Sequence, residues 1–187
     1  MAQTDKRRGR VKIIILLYPV ALLGISAALN GLVFGINPAV IALPALETMV
    51  ALIVAAALLI INHTWLMTTT ELTRLHHHIY ATPEEWEGSV TTREDVSETG
   101  KDELERRHNA HRNATENSLY FIFLAVILSL VSPPVMAAQI WIAGFAVARL
   151  GYTYCYLRGL DNARGVFMSL ALTALYGMAS YLLLSIV

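Results

Sequence analysis

Long apolar runs fill most of the chain, and one extended polar segment separates them. The runs cover residues 11–34, about 39–67, about 119–131, about 135–157 and about 166–187. A bilayer core of about 30 Å takes roughly 20 apolar residues per helix, so all but the third are long enough alone. The third reaches that length if its helix begins upstream, in the polar run near Asp102, and enters the membrane with polar residues on a protected face. None of the runs alternates with the period of a strand, and five is too few for a closed barrel. The pattern therefore predicts an all-α integral membrane protein with five spans. The connections Gly35-Ile36-Asn37-Pro38 and Ser132-Pro133-Pro134 are short and uncharged, with proline where helices stop or start, and predict tight helix hairpins. Lys6, Arg7, Arg8 and Arg10 resemble the basic region of a signal peptide. The apolar run after them exceeds the usual length of roughly 7–15 residues, so a retained first span is expected.

Composition supports the same class. Of 187 residues, 56% are hydrophobic and 15% charged, too small a polar shell for a soluble domain. Formal net charge is zero, so no basic field points to nucleic acid. Cys155 is the single cysteine; an intrachain disulfide is impossible, and inside a helix it reads as a small core residue.

Basic residues mark the cytoplasmic side of a membrane protein. Of the 14 lysines and arginines, Lys6, Arg7, Arg8, Arg10 and Lys12 precede or begin span one. Arg74, Arg93, Lys101, Arg106, Arg107 and Arg112 lie between spans two and three, and Arg158 and Arg164 between spans four and five. With five spans, all of these fall on one side, which puts the N-terminus in the cytoplasm and the C-terminus opposite. Arg149, inside span four, is the exception.

The polar segment, residues 68–116, holds most of the candidate chemistry. Residues 82–105 are acidic and, with Gly88 and Gly100, read as a solvated connector. The stretch 105–117 has no glycine or proline and runs straight into an apolar span, so it can form the cytoplasmic end of helix three. There Asn109, Arg112, Asn113 and Glu116 share one face at i, i+3, i+4 and i+7. Snorkelling explains Arg106 and Arg107. It does not explain a carboxylate entering the apolar phase. Arg149, Tyr152 and Tyr156 share a face of span four, and Arg149 is either a structural partner of Glu116 or a buried support for a site. Arg164 adds a cation at a helix N-terminus. Together these groups suit a small ligand with several carboxylates, which arginine binds through paired hydrogen bonds.

His76-His77-His78 and His108-x-x-His111 invite a metal. Consecutive histidines point to different helix faces and six histidines are too few for a membrane di-iron centre, so no metal is expected. The sequons at Asn62 and Asn113 lie at or inside the cytoplasmic side and read as chance.

Three stretches resemble a known family. Glu105-Arg106, Ala110-His111-Arg112-Asn113 and Glu116-Asn117 resemble the signature E-R-x-x-R-A-H-x-N-x-x-E-N of the MAPEG superfamily, membrane-associated proteins of eicosanoid and glutathione metabolism. Tyr80-Ala81-Thr82-Pro83-Glu84-Glu85 resembles the F-A-N-P-E-D run of the microsomal glutathione transferase and prostaglandin E synthase branch. Ala148-Arg149, Tyr152-Thr153 and Tyr156-Leu157 resemble its A/G-R-x-x-H-T-x-A-Y-L. The likeness covers about residues 40–187.

The resemblance implies a four-helix membrane bundle (residues 38–187, with a cytoplasmic loop at 70–104) that trimerises and binds glutathione between subunits. Residues 1–37, with span one, are an addition. It implies that Arg74, Arg112, Asn113, Glu116 and Tyr156 bind glutathione, that Arg164 sits beside its sulfur, and that Glu85 lies near that arginine. His111, Arg149 and Tyr152 take supporting places. The expected function is glutathione conjugation to, or glutathione-dependent reduction of, lipophilic electrophiles or hydroperoxides. The alternatives are a lipid isomerase of the prostaglandin E synthase type and a non-enzymatic trimeric module. Asn109 replaces an arginine of the signature, Tyr152 stands where the branch has histidine, and Gly165 follows Arg164 where the synthase has a serine. The last difference favours transferase or peroxidase chemistry.

Overall fold

The computed structural model describes residues 2–187, with side chains from residue 11 onward. The side chains of Lys6, Arg7, Arg8 and Arg10, expected to orient the chain, lie outside the described residues. Five long helices form the architecture: α1 (Ala2–Leu29, continued by a π-turn at Asn30–Phe34), α2 (Leu46–His77), α4 (Glu98–Leu130), α5 (Val135–Arg158) and α6 (Asp161–Ser185). A short α3 (Pro83–Glu87) lies between α2 and α4. All five long helices have the length and apolar content to cross a bilayer, and the protein is a multi-pass integral membrane protein.

The expected third span is part of a 33-residue helix that begins at Glu98, four residues before Asp102. Ser97 caps it by accepting from the Gly100 N–H at 3.1 Å. Gly100 is therefore helical, not the loop residue its type predicts. A Cβ there would lie 2.9 Å from the His77 side chain, so glycine permits the close approach of α2 and α4. With α2 running to His77, the 70–104 loop narrows to residues 78–97.

One expected hairpin does not form. Residues 35–45 are an irregular linker, and α1 packs on α6 rather than on α2. The linker clips to the far end of the bundle. Ala39 N–H donates to the Ser185 carbonyl at 2.9 Å and Ala42 N–H to that of Leu130 at 3.0 Å. These bonds occupy carbonyls left open at two helix ends. The Ser132–Pro134 connection is short as expected.

Helix α5 is the hub, packed against α2, α4 and α6. Small residues at Ala137, Ala138, Ala146 and Ala148 bring neighbours close, as in membrane helix packing generally. The rings of Phe121 and Phe145 stack at 4.3 Å, and Trp141 lies on the bare backbone of Gly177. At the charged end, where residues 78–97 lie, Leu66, Ala110 and Ala114 form a smaller core with Tyr156 and Leu157.

Candidate functional site

The charged end of the bundle gathers the polar side chains that the sequence singles out. Helix α5 stops at Gly159, whose φ of 67° is left-handed and whose N–H closes the last turn. Only Leu160 separates it from α6, so the first turn of α6 folds back over the end of α5. Arg164 therefore lies above Tyr156, its guanidinium carbon 4.9 Å from the ring centroid. Asp161 holds the same guanidinium at 3.1 Å. Below, the Tyr156 and Tyr152 rings are 5.6 Å apart, and Arg149 sits 4.5 Å from the Tyr152 ring. Arginine, tyrosine, tyrosine and arginine thus form a ladder from the surface into the membrane interior.

Arg149 does not pair with Glu116, which is exposed and has no ion pair among the described residues. Arg149 is 1% exposed, and its Nε and Nη2 have no hydrogen-bond partner among the described residues. What the guanidinium meets instead is the face of the Tyr152 ring.

Arg164 and Tyr156 line a strongly polar cavity of about 440 Å³ with Asn109, Arg106 and three carboxylates, Asp102, Glu105 and Asp161. Arg112 lines a second cavity of about 400 Å³, with Trp86, Arg93 and His108. Arg74 lines a third, of about 470 Å³, with Tyr80 and Glu85. The three expected arginines thus occupy separate open cavities within one chain. They are nevertheless linked around α4. Arg74 Nη2 is 3.3 Å from His108 Nε2, His108 lines the Arg112 cavity, and Asn109 lines both that cavity and the Arg164 cavity.

Glu85 is not beside Arg164 in this chain. Its Oε2 accepts from the Ala81 N–H at 2.7 Å and completes a capping box with Thr82 at the start of α3. Asn113 is half-buried, with Oδ1 unpartnered. His111 Nε2 lies 3.2 Å from His63 Nδ1, beside an apolar recess between α2 and α4. His78 takes a left-handed conformation as the cap of α2, while His76 and His77 pack edge to face.

Asn109 and His108 are the neighbours that motif matching passes over, and Arg106, which the signature does include, joins them at the cavity without a role expected for it. Asn109 breaks the signature, yet it shares the helix face of Arg112, and that periodicity is the signal that finds it. His63 has a different signal: an imidazole within an apolar span needs a partner on a facing helix.

The fold and this end of it define a class: a multi-span helical membrane protein with a cationic, aromatic-backed site where its helices end. The chain belongs to the MAPEG family, which it matches over residues 52–184. That family is one of membrane proteins of glutathione-related transfer and isomerisation. The match takes in most of α2 and everything after it up to residue 184, and leaves α1 outside. No curated protein matches the chain.

Proposed function

We propose that the protein is a glutathione transferase, with a capacity for hydroperoxide reduction, and that Arg164 stabilises the glutathione thiolate. The observation that carries this reading is Arg164 itself. It is a fixed guanidinium in the first turn of a 25-residue helix, stacked on Tyr156 at the mouth of a polar cavity. A free thiol titrates near pH 8.5 and is mostly protonated at neutral pH. A cation and the positive end of a helix dipole both favour the anion. The thiolate attacks an electrophilic carbon; a C–S bond forms and the leaving group departs with its electron pair. With a hydroperoxide, the O–O bond breaks, and a second glutathione completes reduction to alcohol, water and glutathione disulfide.

Arg74, Arg112, Asn113, Glu116 and Tyr156 are proposed to bind the peptide, with Glu85, His111, Arg149 and Tyr152 in support. The spread of Arg74, Arg112 and Tyr156 over three open cavities favours a site closed by other copies of the chain, in a homotrimer. The basic residues favour a charged end, and an N-terminus, on the cytoplasmic side. The lipophilic electrophile then arrives from the bilayer. Glycine at 165 favours transfer or reduction over isomerisation.

Purified protein given glutathione and an aryl halide, an epoxide or a lipid hydroperoxide should yield a conjugate or an alcohol. Arg164→Ala should lower the rate about a hundredfold, the scale of losing one electrostatic stabiliser. Turnover of none of the three by the wild type would end this reading.

A further inference from the structure

Helix α1 does not merely lie beside the bundle. It runs parallel to α6 and is bonded to it in register along most of the membrane. Near the far end, the Asn37 N–H donates to the Tyr181 hydroxyl at 3.3 Å. Asn30, fully buried in the π-turn, donates through Nδ2 to the Gly177 carbonyl at 2.8 Å and to Ser180 Oγ at 3.0 Å, and accepts from Trp141 Nε1 at 2.9 Å. Ser26, also fully buried, shares its single hydroxyl proton between the Leu22 carbonyl at 2.8 Å and the Thr173 carbonyl at 2.9 Å. The rung nearest the charged end joins Tyr18 to Ser169, with 2.7 Å between their oxygens.

That last rung differs from the others in where it leads. Ser169 Oγ also donates to the Gly165 carbonyl, at 2.8 Å. A hydroxyl has one proton, and that one is committed to Gly165, so Tyr18 is the donor to Ser169. A continuous relay results, from the Tyr18 hydroxyl to Ser169 and from Ser169 to the peptide carbonyl between Gly165 and Val166. Gly165 directly follows Arg164. Its lack of a side chain leaves open space, with no heavy atom of the described residues within 4 Å of where a Cβ would sit. No side chain at 165 wedges this turn, whose outward face is fixed through its carbonyl instead. A serine that bonds back to the residue four earlier tends to bend a helix locally, and here a tyrosine on another helix holds that serine in place.

We propose that Tyr18 is a positioning residue for Arg164, acting through Ser169, and that α1 is thereby part of the site's scaffold. The proposal rests on the role of Arg164 given above. The lower rungs hold α1 against sliding and rotation, and so keep Tyr18 opposite Ser169. Without the Tyr18 hydroxyl, the first two turns of α6 lose their outside tether. The Arg164 guanidinium then samples positions further from the thiolate, and the thiolate is less favoured.

The test is the pH titration of bound glutathione, read by ultraviolet thiolate absorbance on the full-length protein in detergent, with thermal melting alongside. Tyr18→Phe and Ser169→Ala should each raise the midpoint by about 0.5, a roughly threefold loss of thiolate below the midpoint, and the double variant should go no further. Ser169→Thr retains the hydroxyl and should titrate like the wild type. Ser26→Ala removes a rung remote from Arg164 and should lower the melting temperature without moving the midpoint. Arg164→Ala reports on the underlying reading. If it shifts the midpoint while Tyr18→Phe and Ser169→Ala do not, the positioning role is refuted and the role of Arg164 stands. A shift with Ser26→Ala as large as with Tyr18→Phe refutes it also, since the effect would be general loosening. If Arg164→Ala leaves the midpoint in place, both ideas fall together.

Discussion

Replacing Asn30 by alanine tests whether α1 belongs to the folded unit. Asn30 is fully buried and makes three hydrogen bonds, to the Gly177 carbonyl, to Ser180 and from the Trp141 indole. Side-chain hydrogen bonds between membrane helices average about 0.6 kcal/mol, so the three together contribute roughly 2 kcal/mol. The truncation also orphans the indole N–H of Trp141, which is 4% exposed and sits between Phe34 and Gly177. A buried donor left without a partner costs about 1–3 kcal/mol. Because Ser180 also bonds to the Gly177 carbonyl, at 3.3 Å, part of the loss is recovered there. The expected destabilisation is about 3 kcal/mol. Reversible unfolding in mixed micelles, followed by tryptophan fluorescence, measures it directly. A loss below about 0.5 kcal/mol, the scatter of a surface change, would mean that α1 is only loosely attached.

Three further outcomes are expected. Arg149→Met should raise thermal stability, because exchanging a buried charge for a packed apolar side chain often gains about 1–4 kcal/mol, and it should weaken glutathione binding; a lower melting temperature would show that the stack on Tyr152 already compensates the charge. Gly177→Ala places a methyl 2.5 Å from the Trp141 ring and should cost roughly 1–3 kcal/mol in the same unfolding assay, whereas Gly144→Ala, with open space around it, should be neutral or stabilising. The Thr92 N–H and hydroxyl donate to Asp95 at 2.7 and 2.9 Å and hold its carboxyl below the usual carboxylate range. Its contribution is therefore full above the unfolded value of about 3.9 and is lost as pH falls through the lowered one, so the Thr92 amide resonance should stay constant down to about pH 4 and move only below it.

The span count was legible from the apolar runs because each must satisfy its own backbone within a bilayer, which leaves little freedom in class. Helix limits were less legible where polar residues carry the helix beyond the membrane. Residues 105–117 were legible as a helix end because they lack glycine and proline, but the acidic stretch before them, with Gly100, reads as a solvated connector; the Ser97 cap and the His77–Gly100 contact carry the helix back to Glu98. The partner of α1 was not legible at all. Its face toward α6 is marked only by Tyr18, Ser26 and Asn30, and a polar residue in a span announces a partner without naming it. For the site, the nearness of Tyr156 and Arg164 follows from the short turn that joins their helices. The carboxylate of Glu85 caps α3 within its own chain, which the motif alone does not reveal. For Arg149, residue charge left a pairing with Glu116 and a buried supporting place both open; the guanidinium meets the Tyr152 ring and not Glu116, which charge alone does not reveal.

The central claim is that Arg164 makes and holds a glutathione thiolate at the charged end of the bundle. Its most direct measurement is a glutathione titration of the detergent-purified protein at neutral pH, following thiolate absorbance and bound ligand together for the wild type, Arg112→Ala and Arg164→Ala. The account predicts saturable binding with thiolate formation in the wild type, weakened binding in Arg112→Ala, and binding without thiolate in Arg164→Ala. Undiminished thiolate in Arg164→Ala, or a wild type that binds no glutathione, would contradict it.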